Sequence, residues 1–320
     1  KPHIEAFVHA CDVCQRHKQP GQPYGHLPPR NDIAVPWEEV AVNLVGPWKI
    51  TLPDVGELRF HALTIIDTTT TISEIIRIDN KTSQHVAMHF KNQWLSRYPR
   101  PLRVIHDPGN EFIGIAFQSM LNINGIHAVP TTTKNPQANA VCERMHSTVG
   151  DMLRTIVSTH PPRDVAKAYE IVDSTLASAQ FAIRPAIHRT LQISPGALVF
   201  QRDMLLPIPI IADYNNLRNR RQTLIDENNR RENLRRRFRD YEPGDEVLKI
   251  VYNPATLQER ALGPFAIQQV HVNGTLTILR AKDVYERINF GVFVLIIIRS
   301  LQIQREESQR TILAYKQSRI

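Results

Sequence analysis

Two acidic residues stand where a hard cation could be held. Asp107 closes the short apolar run Leu102 to Ile105 and opens the turn signal Asp107-Pro108-Gly109-Asn110, while Glu143 lies in a run of helix formers from Gln137 to Val157. The 35 residues between them leave room for a helix and a strand before the chain returns. Phosphoryl transfer on nucleic acid uses paired divalent cations about 4 Å apart, held by oxygen ligands from carboxylates distant in sequence. A third carboxylate belongs in the middle of the first strand of such a pocket, and Asn43 occupies that place. Taken alone, Asp107 equally suits a Pro-Gly turn through its local hydrogen bonds, and Glu143 a solvated helix face.

The elements around these residues read as an α/β unit. Val40 to Trp48, Phe60 to Ile66 and Ile72 to Ile78 are β-rich runs parted by turn or Thr-rich segments, consistent with an antiparallel meander. Val86, Phe90, Trp94 and Leu95 recur near helical spacing, Leu102 to Ile105 is a short strand, and Phe112 to Leu121 suggests a second helix. Ala128-Val129 then makes a short strand before the helix that carries Glu143. Val165 to Ile183 continues helical and Pro195 to Pro209 reads as irregular. From Leu217 to Arg239 nine arginines face Asp226, Glu227 and Glu232, so most of the chain's net charge is concentrated there. Beyond Tyr241, short strands joined by Gly turns, with Asn273-Gly274 as the clearest hairpin cue, predict a small antiparallel barrel. The stretch 294–320 fits no template.

Composition narrows the class. With 320 residues and 42% hydrophobic content, the chain can build at least two cores. A net charge of +8 and a pI near 9.5 make a polyanion the first partner to consider, nucleic acid or a membrane surface. The longest apolar run, Val292 to Ile298, falls far short of the roughly 20 residues needed to cross a bilayer, so no integral membrane role is expected. No secretory signal pattern stands out, and three cysteines, two of them Cys11 and Cys14, suit a reducing compartment; a nuclear or cytoplasmic location is expected.

Several segments together resemble the integrases of gypsy-type long-terminal-repeat retrotransposons. They are Cys11-Asp12-Val13-Cys14-Gln15-Arg16-His17-Lys18, Pro36-Trp37-Glu38-Glu39-Val40-Ala41-Val42-Asn43-Leu44-Val45-Gly46-Pro47, and His106-Asp107-Pro108-Gly109-Asn110-Glu111-Phe112. Asn135-Pro136-Gln137-Ala138-Asn139 leading to Glu143-Arg144, Val199-Phe200-Gln201-Arg202-Asp203-Met204, and the barrel through Glu286-Arg287-Ile288-Asn289 continue the match. The resemblance implies a zinc-binding segment and linker at 1–35, an RNase H-like core with a mixed five-stranded sheet at 36–160, a helical extension with an Arg-rich linker at 161–240, and a small SH3-like barrel at 241–293. It also implies trimming of element DNA 3′ ends and their joining to target DNA, with two Mg²⁺ or Mn²⁺ ions held by Asp, Asp and Glu.

Carried onto this chain, Asp107 is the second Asp, Glu143 is the Glu, and Asn43 falls on the first Asp. An amide offers one neutral oxygen and an NH₂ whose protons face a cation, so the resemblance implies a truncated or degenerate copy with impaired catalysis. Asp67 and Glu74 are nearby acids but do not occupy the family's first position. Lys134, Asn139 and Arg144 flank Glu143 and are expected to hold DNA near the metals. Arg230, Arg231, Arg235, Arg236 and Arg237 are expected to neutralise phosphates without reading sequence. Structural zinc takes four ligands, and the resemblance places the second pair upstream of Lys1, which leaves Cys11 and Cys14 as a residual Zn²⁺ half-site. DNA and further copies of the same chain are the implied partners. A DNA-binding remnant without catalysis, or a protein-binding scaffold of a retroelement polyprotein, is the alternative.

Overall fold

The computed structural model describes residues 11–17, 25–29, 35–131, 136–189, 191–251, 254–289 and 294–297. Side chains at 136–144 and 294–297, and those of Asp12 and Gln15, lie outside the description. Contacts divide the chain into Asp32–Thr223 and a second unit composed of Lys1–Asn31 with Leu224–Ile320. A short helix α1 (Asp12–His17) opens the described chain.

The central unit is built on β1 (Glu39–Leu52), β2 (Gly56–Asp67) and β3 (Ser73–Ile78), then helix α2 (Ser83–Phe90) continued by a wider turn at Lys91–Leu95. Strand β4 (Arg103–His106), helices α3 (Asn110–Ile113) and α4 (Ile115–Ile123), strand β5 (His127–Pro130) and helix α5 (Pro136–Thr159) follow. Helices α6 (Val165–Ile183) and α7 (Pro195–Phe200) come next, and α8 (Tyr214–Leu234) begins in this unit. The sheet order is β3-β2-β1-β4-β5, antiparallel among the first three strands and parallel among β1, β4 and β5.

Alternation along the strands divides this sheet into two packed faces. Val40, Val42, Leu63, Ile65 and Val104 face α2 with its following turn, α3 and α4, where Phe90, Trp94, Phe112 and Phe117 are buried almost completely. Each such aromatic stabilises the fold by about 2–3 kcal/mol through burial. Ala41, Ala62, Ile66 and Ile105 face the other way, onto Met145, Val149 and Leu153 of α5 and Ala168, Val172 and Leu176 of α6. The sheet's packing therefore does not stop at residue 160: α6 is part of the core rather than an extension of it. In β1 the register shifts between Val45 and Trp48, where Gly46 holds φ +112° and an added Cβ would meet the Phe60 carbonyl at 2.8 Å.

The segment expected to be irregular after Pro195 is helical over α7. Ser194 caps it, its hydroxyl accepting the Ala197 N–H, Pro195 sits in the first turn, and Leu198 is buried against Leu191 and Leu217. Six residues are too few for a periodic signal in sequence.

The second unit holds β6 (Glu246–Ile250), β7 (Ala261–His271), β8 (Thr275–Ala281), β9 (Val284–Asn289) and β10 (Val294–Ile297), antiparallel in the order β10-β6-β7-β8-β9. Its core is Val247, Ile267, Leu276, Ile278 and Ile288 with Tyr241. Strand β10 comes from the stretch without an assigned template. Residues near the amino end complete the unit. Arg16 pairs with Glu259 at 3.4 Å and its carbonyl accepts the Arg260 N–H, while residues 25–29 run along the end of α8. There the Asn233 amide grips both the N–H and the carbonyl of Leu27, at 2.7 and 3.2 Å.

Candidate active site

Strand pairing brings Asn43 and Asp107 together. β1 and β4 pair in parallel up to Val42 and His106, so Asn43, still in β1, and Asp107, just past the end of β4, each follow the last paired residues of the ladder. Both fall two residues beyond Ala41 and Ile105, on the face covered by α5 and α6. Asp107 is partly exposed, and its Oδ1 accepts the hydroxyl of Thr131, which follows β5, at 2.8 Å. The buried His106 holds the turn from behind, its Nδ1 2.8 Å from the Asp107 carbonyl.

Helix α5 supplies the third side. Its apolar residues Met145, Val149 and Leu153 recur at four-residue spacing and seat it on the sheet, which brings His146 over β2. His146 Nε2 lies 3.0 Å from the Thr64 hydroxyl, and the same hydroxyl is 3.1 Å from the carbonyl of Asn43, the residue paired with Thr64. Burial pushes the imidazole down to about 4 against the opposing pull of the Asp107 carboxylate, so the ring is neutral at neutral pH. Asn43, Thr64, Asp107 and His146 thus make one polar cluster under α5. Position 143 stands one turn ahead of His146 on the same helix, and position 139 two turns ahead.

Other expected residues divide. Lys134 lies outside the described residues; Asn139, Glu143 and Arg144 are placed on α5 by backbone only. Asp67 and Glu74 are committed elsewhere. Asp67 pairs in register with Val40, about 10 Å along the sheet from Asn43, and its carboxylate accepts the Thr70 N–H and hydroxyl and the Trp37 N–H. Glu74, on β3, accepts from Tyr98 and Arg184. Neither replaces the missing carboxylate. Thr64, Thr131 and His146 are absent from the sequence expectation; His146 alone had a signal there, since it follows Glu143 by one helical turn.

In the arginine run, Arg230, Arg231, Arg235 and Arg237 are exposed. Arg231 pairs with Glu227 at 3.5 Å, and Arg235 with Glu232 at 4.0 Å. Arg236 departs from the expected phosphate role: its side chain is 6% exposed and pairs with Glu232 at 3.6 Å, inside its own unit. Arg221 is structural as well, donating to the carbonyls of Thr68 and Thr69. Cys11 precedes α1 and Cys14 lies within it, both half-buried. Among the described residues no group of three or more His, Cys, Asp or Glu side chains is arranged to hold a metal ion.

No protein-family model matches the chain. It is 23% identical over 199 residues to the Transposon Tf2-3 and Tf2-4 polyproteins of Schizosaccharomyces pombe, a match that covers 61% of this chain and 14% of each polyprotein. The chain thus spans about a seventh of the length of these relatives. In structure it is similar to a chain of the simian T-cell lymphotropic virus intasome in complex with PP2A regulatory subunit B56 gamma. The TM-score is 0.61 at 15% identity, covering 93% of this chain and 91% of that one. In sequence the chain is similar to retrotransposon polyproteins, and in fold to an intasome chain. The catalytic core domain of BIV integrase also matches, at TM-score 0.38 and 17% identity over 51% of this chain and 94% of that one. That likeness adds nothing to the fold assignment, which rests on the intasome chain and on the sheet order. The expected fold is thereby shown: an RNase H-like integrase core, with a second antiparallel sheet that forms a small β domain.

Proposed function

We propose that this integrase-like chain binds DNA within a retrotransposon assembly and that its 3′-end processing and strand-transfer chemistry is suppressed by Asn43. The observation that supports the reading is the register of β1 and β4, which ends at Val42 and His106, so that the amide Asn43 and the carboxylate Asp107 both follow its last pair. Donor chemistry decides which ions fit. Asp107, with Glu143 as its helix-borne partner, suits one Mg²⁺ or Mn²⁺, which would supply positive charge beside a phosphodiester oxygen. The set does not suit a bridged pair, because Asn43 contributes no charge between two dications. The missing charge weakens ion binding by on the order of several kcal/mol, enough to lower the rate by orders of magnitude.

The chain's own residues act as positioners. Thr131 holds the Asp107 carboxylate, and neutral His146 fixes Thr64 under Asn43 without adding a competing cation to the pocket. Lys134, Asn139 and Arg144 are assigned to DNA beside the pocket, and Arg230, Arg231, Arg235 and Arg237 to sequence-independent phosphate contact. The likeness to an intasome chain supports a homo-oligomer on DNA. Cys11 and Cys14 are assigned to a residual zinc site.

Asn43→Asp in the full chain tests the proposal. Joining of element-end DNA to target DNA in Mg²⁺ or Mn²⁺ should rise by orders of magnitude, with DNA affinity nearly unchanged. Equal joining by both forms would sink the role given to Asn43. Absence of DNA binding by either form would leave a protein scaffold instead.

A further inference from the structure

Helix α2 carries His85 and His89 one turn apart, far in sequence from the acidic pocket. Their Nε2 atoms converge to 3.1 Å, with ring centroids 4.5 Å apart and planes crossed at 71°. The backbone behind them is fixed: Val86, Ala87 and Phe90 are buried in the sheet's core, and the Thr82 hydroxyl caps the helix by accepting the His85 N–H. Both rings are half-buried and still reach solvent. The arrangement is preorganised, so binding a ligand at this point needs little ordering of side chains.

An ion bonded to both nitrogens at about 2.0–2.1 Å would subtend about 95–102° across the 3.1 Å separation, between octahedral and tetrahedral angles. Histidines four residues apart on a helix are a bidentate arrangement, and imidazole selects Zn²⁺, Cu²⁺ or Ni²⁺ over Mg²⁺. Charge nearby is permissive. Asp79 lies close enough to His89 to act on it, and Arg77, the nearby cation, is itself paired with Asp79 and Asp173.

We propose that His85 and His89 form a two-histidine site for a divalent transition-metal ion, Zn²⁺ or Cu²⁺, with water completing the coordination. Two Nε2–metal bonds form as two waters leave the ion, and the ring that donated in the imidazole pair keeps its hydrogen on Nδ1 instead. The bound ion clamps the first turn of α2 to its last, on the side away from the core.

The test uses the full chain with Cys11→Ser, Cys14→Ser and Cys142→Ser, so that thiolates cannot compete. Titration with Cu²⁺, followed by electron paramagnetic resonance, should give one site with hyperfine structure from two equivalent nitrogens. Zn²⁺ should displace it and Mg²⁺ should not. His85→Gln and His89→Gln, each alone, should weaken binding on the order of tenfold or more by removing the chelate, whereas exposed His160→Gln should leave it unchanged. Retained two-nitrogen signals in both variants, or single-nitrogen coordination in the parent chain, would overturn the assignment. The parent spectrum decides the matter even where a variant fails to fold.

Discussion

His146→Gln offers the sharpest test of how α5 closes the pocket. In the unfolded chain an imidazole takes up a proton near pH 6.5, whereas burial over Thr64 holds the folded ring down to about 4. The folded state therefore binds fewer protons between those values. Its contribution to stability is complete above about pH 6.5 and is lost as the pH falls toward 4. The gap of about 2.5 units corresponds to about 3 kcal/mol, which the partly solvated ring reduces to about 2 kcal/mol. The assay is urea unfolding followed by tryptophan fluorescence. All three tryptophans, Trp37, Trp48 and Trp94, lie in Asp32–Thr223, so the signal reports this unit alone. Gln keeps a hydrogen-bonding partner for Thr64 but does not titrate. The parent chain should lose about 2 kcal/mol more than the variant on going from pH 7 to pH 4.5. Parallel pH profiles would show that His146 is not held neutral by burial, and the packing of α5 over Thr64 would have to be redrawn.

Three further outcomes are expected. Arg184→Met leaves the Glu74 carboxylate, 6% exposed, with Tyr98 as its remaining side-chain partner and should cost about 3 kcal/mol in the same unfolding assay. Ser194→Ala removes the cap of α7 and should cost about 1 kcal/mol, seen as an earlier urea midpoint. Replacing Arg230, Arg231, Arg235 and Arg237 by Gln should flatten the dependence of DNA affinity on salt by roughly one slope unit per lost phosphate contact. Arg236→Gln should instead lower the stability of the second unit and leave the salt slope alone, because its guanidinium is buried against Glu232.

The strands β1 to β4 and the helices α2 and α6 were legible because each is an apolar run or a periodic one that stands out, whereas β10 lies in a stretch that fits no template and the strongly polar α8 showed only its charge. What alternation could not reveal is the register of β1: Val40, Ala41 and Val42 are all buried, since both faces of the strand are covered, and such a run has no polar face to orient it. Hence alternation alone could not pair Asn43 with Asp107, which only the resemblance put in one pocket, and Thr64 stayed invisible because only the β1–β2 register brings it beside Asn43. Arg236 shows the opposite limit. Its charge is as readable as its neighbours', but the bend that follows α8 turns it back onto Glu232 rather than to solvent.

The amino-terminal residues lie on the carboxy-terminal unit: Gly25 donates to the Arg237 carbonyl, Leu27 is gripped by Asn233, and Arg16 meets Glu259. On the ribosome the earliest of these contacts waits for some two hundred residues of intervening chain. The sheet unit can mature while the first segment still lacks its partner. Synthesis order thereby makes the clasp of residues 16–27 onto residues 233–260 a late step, closed only after the sheet unit between them has been made.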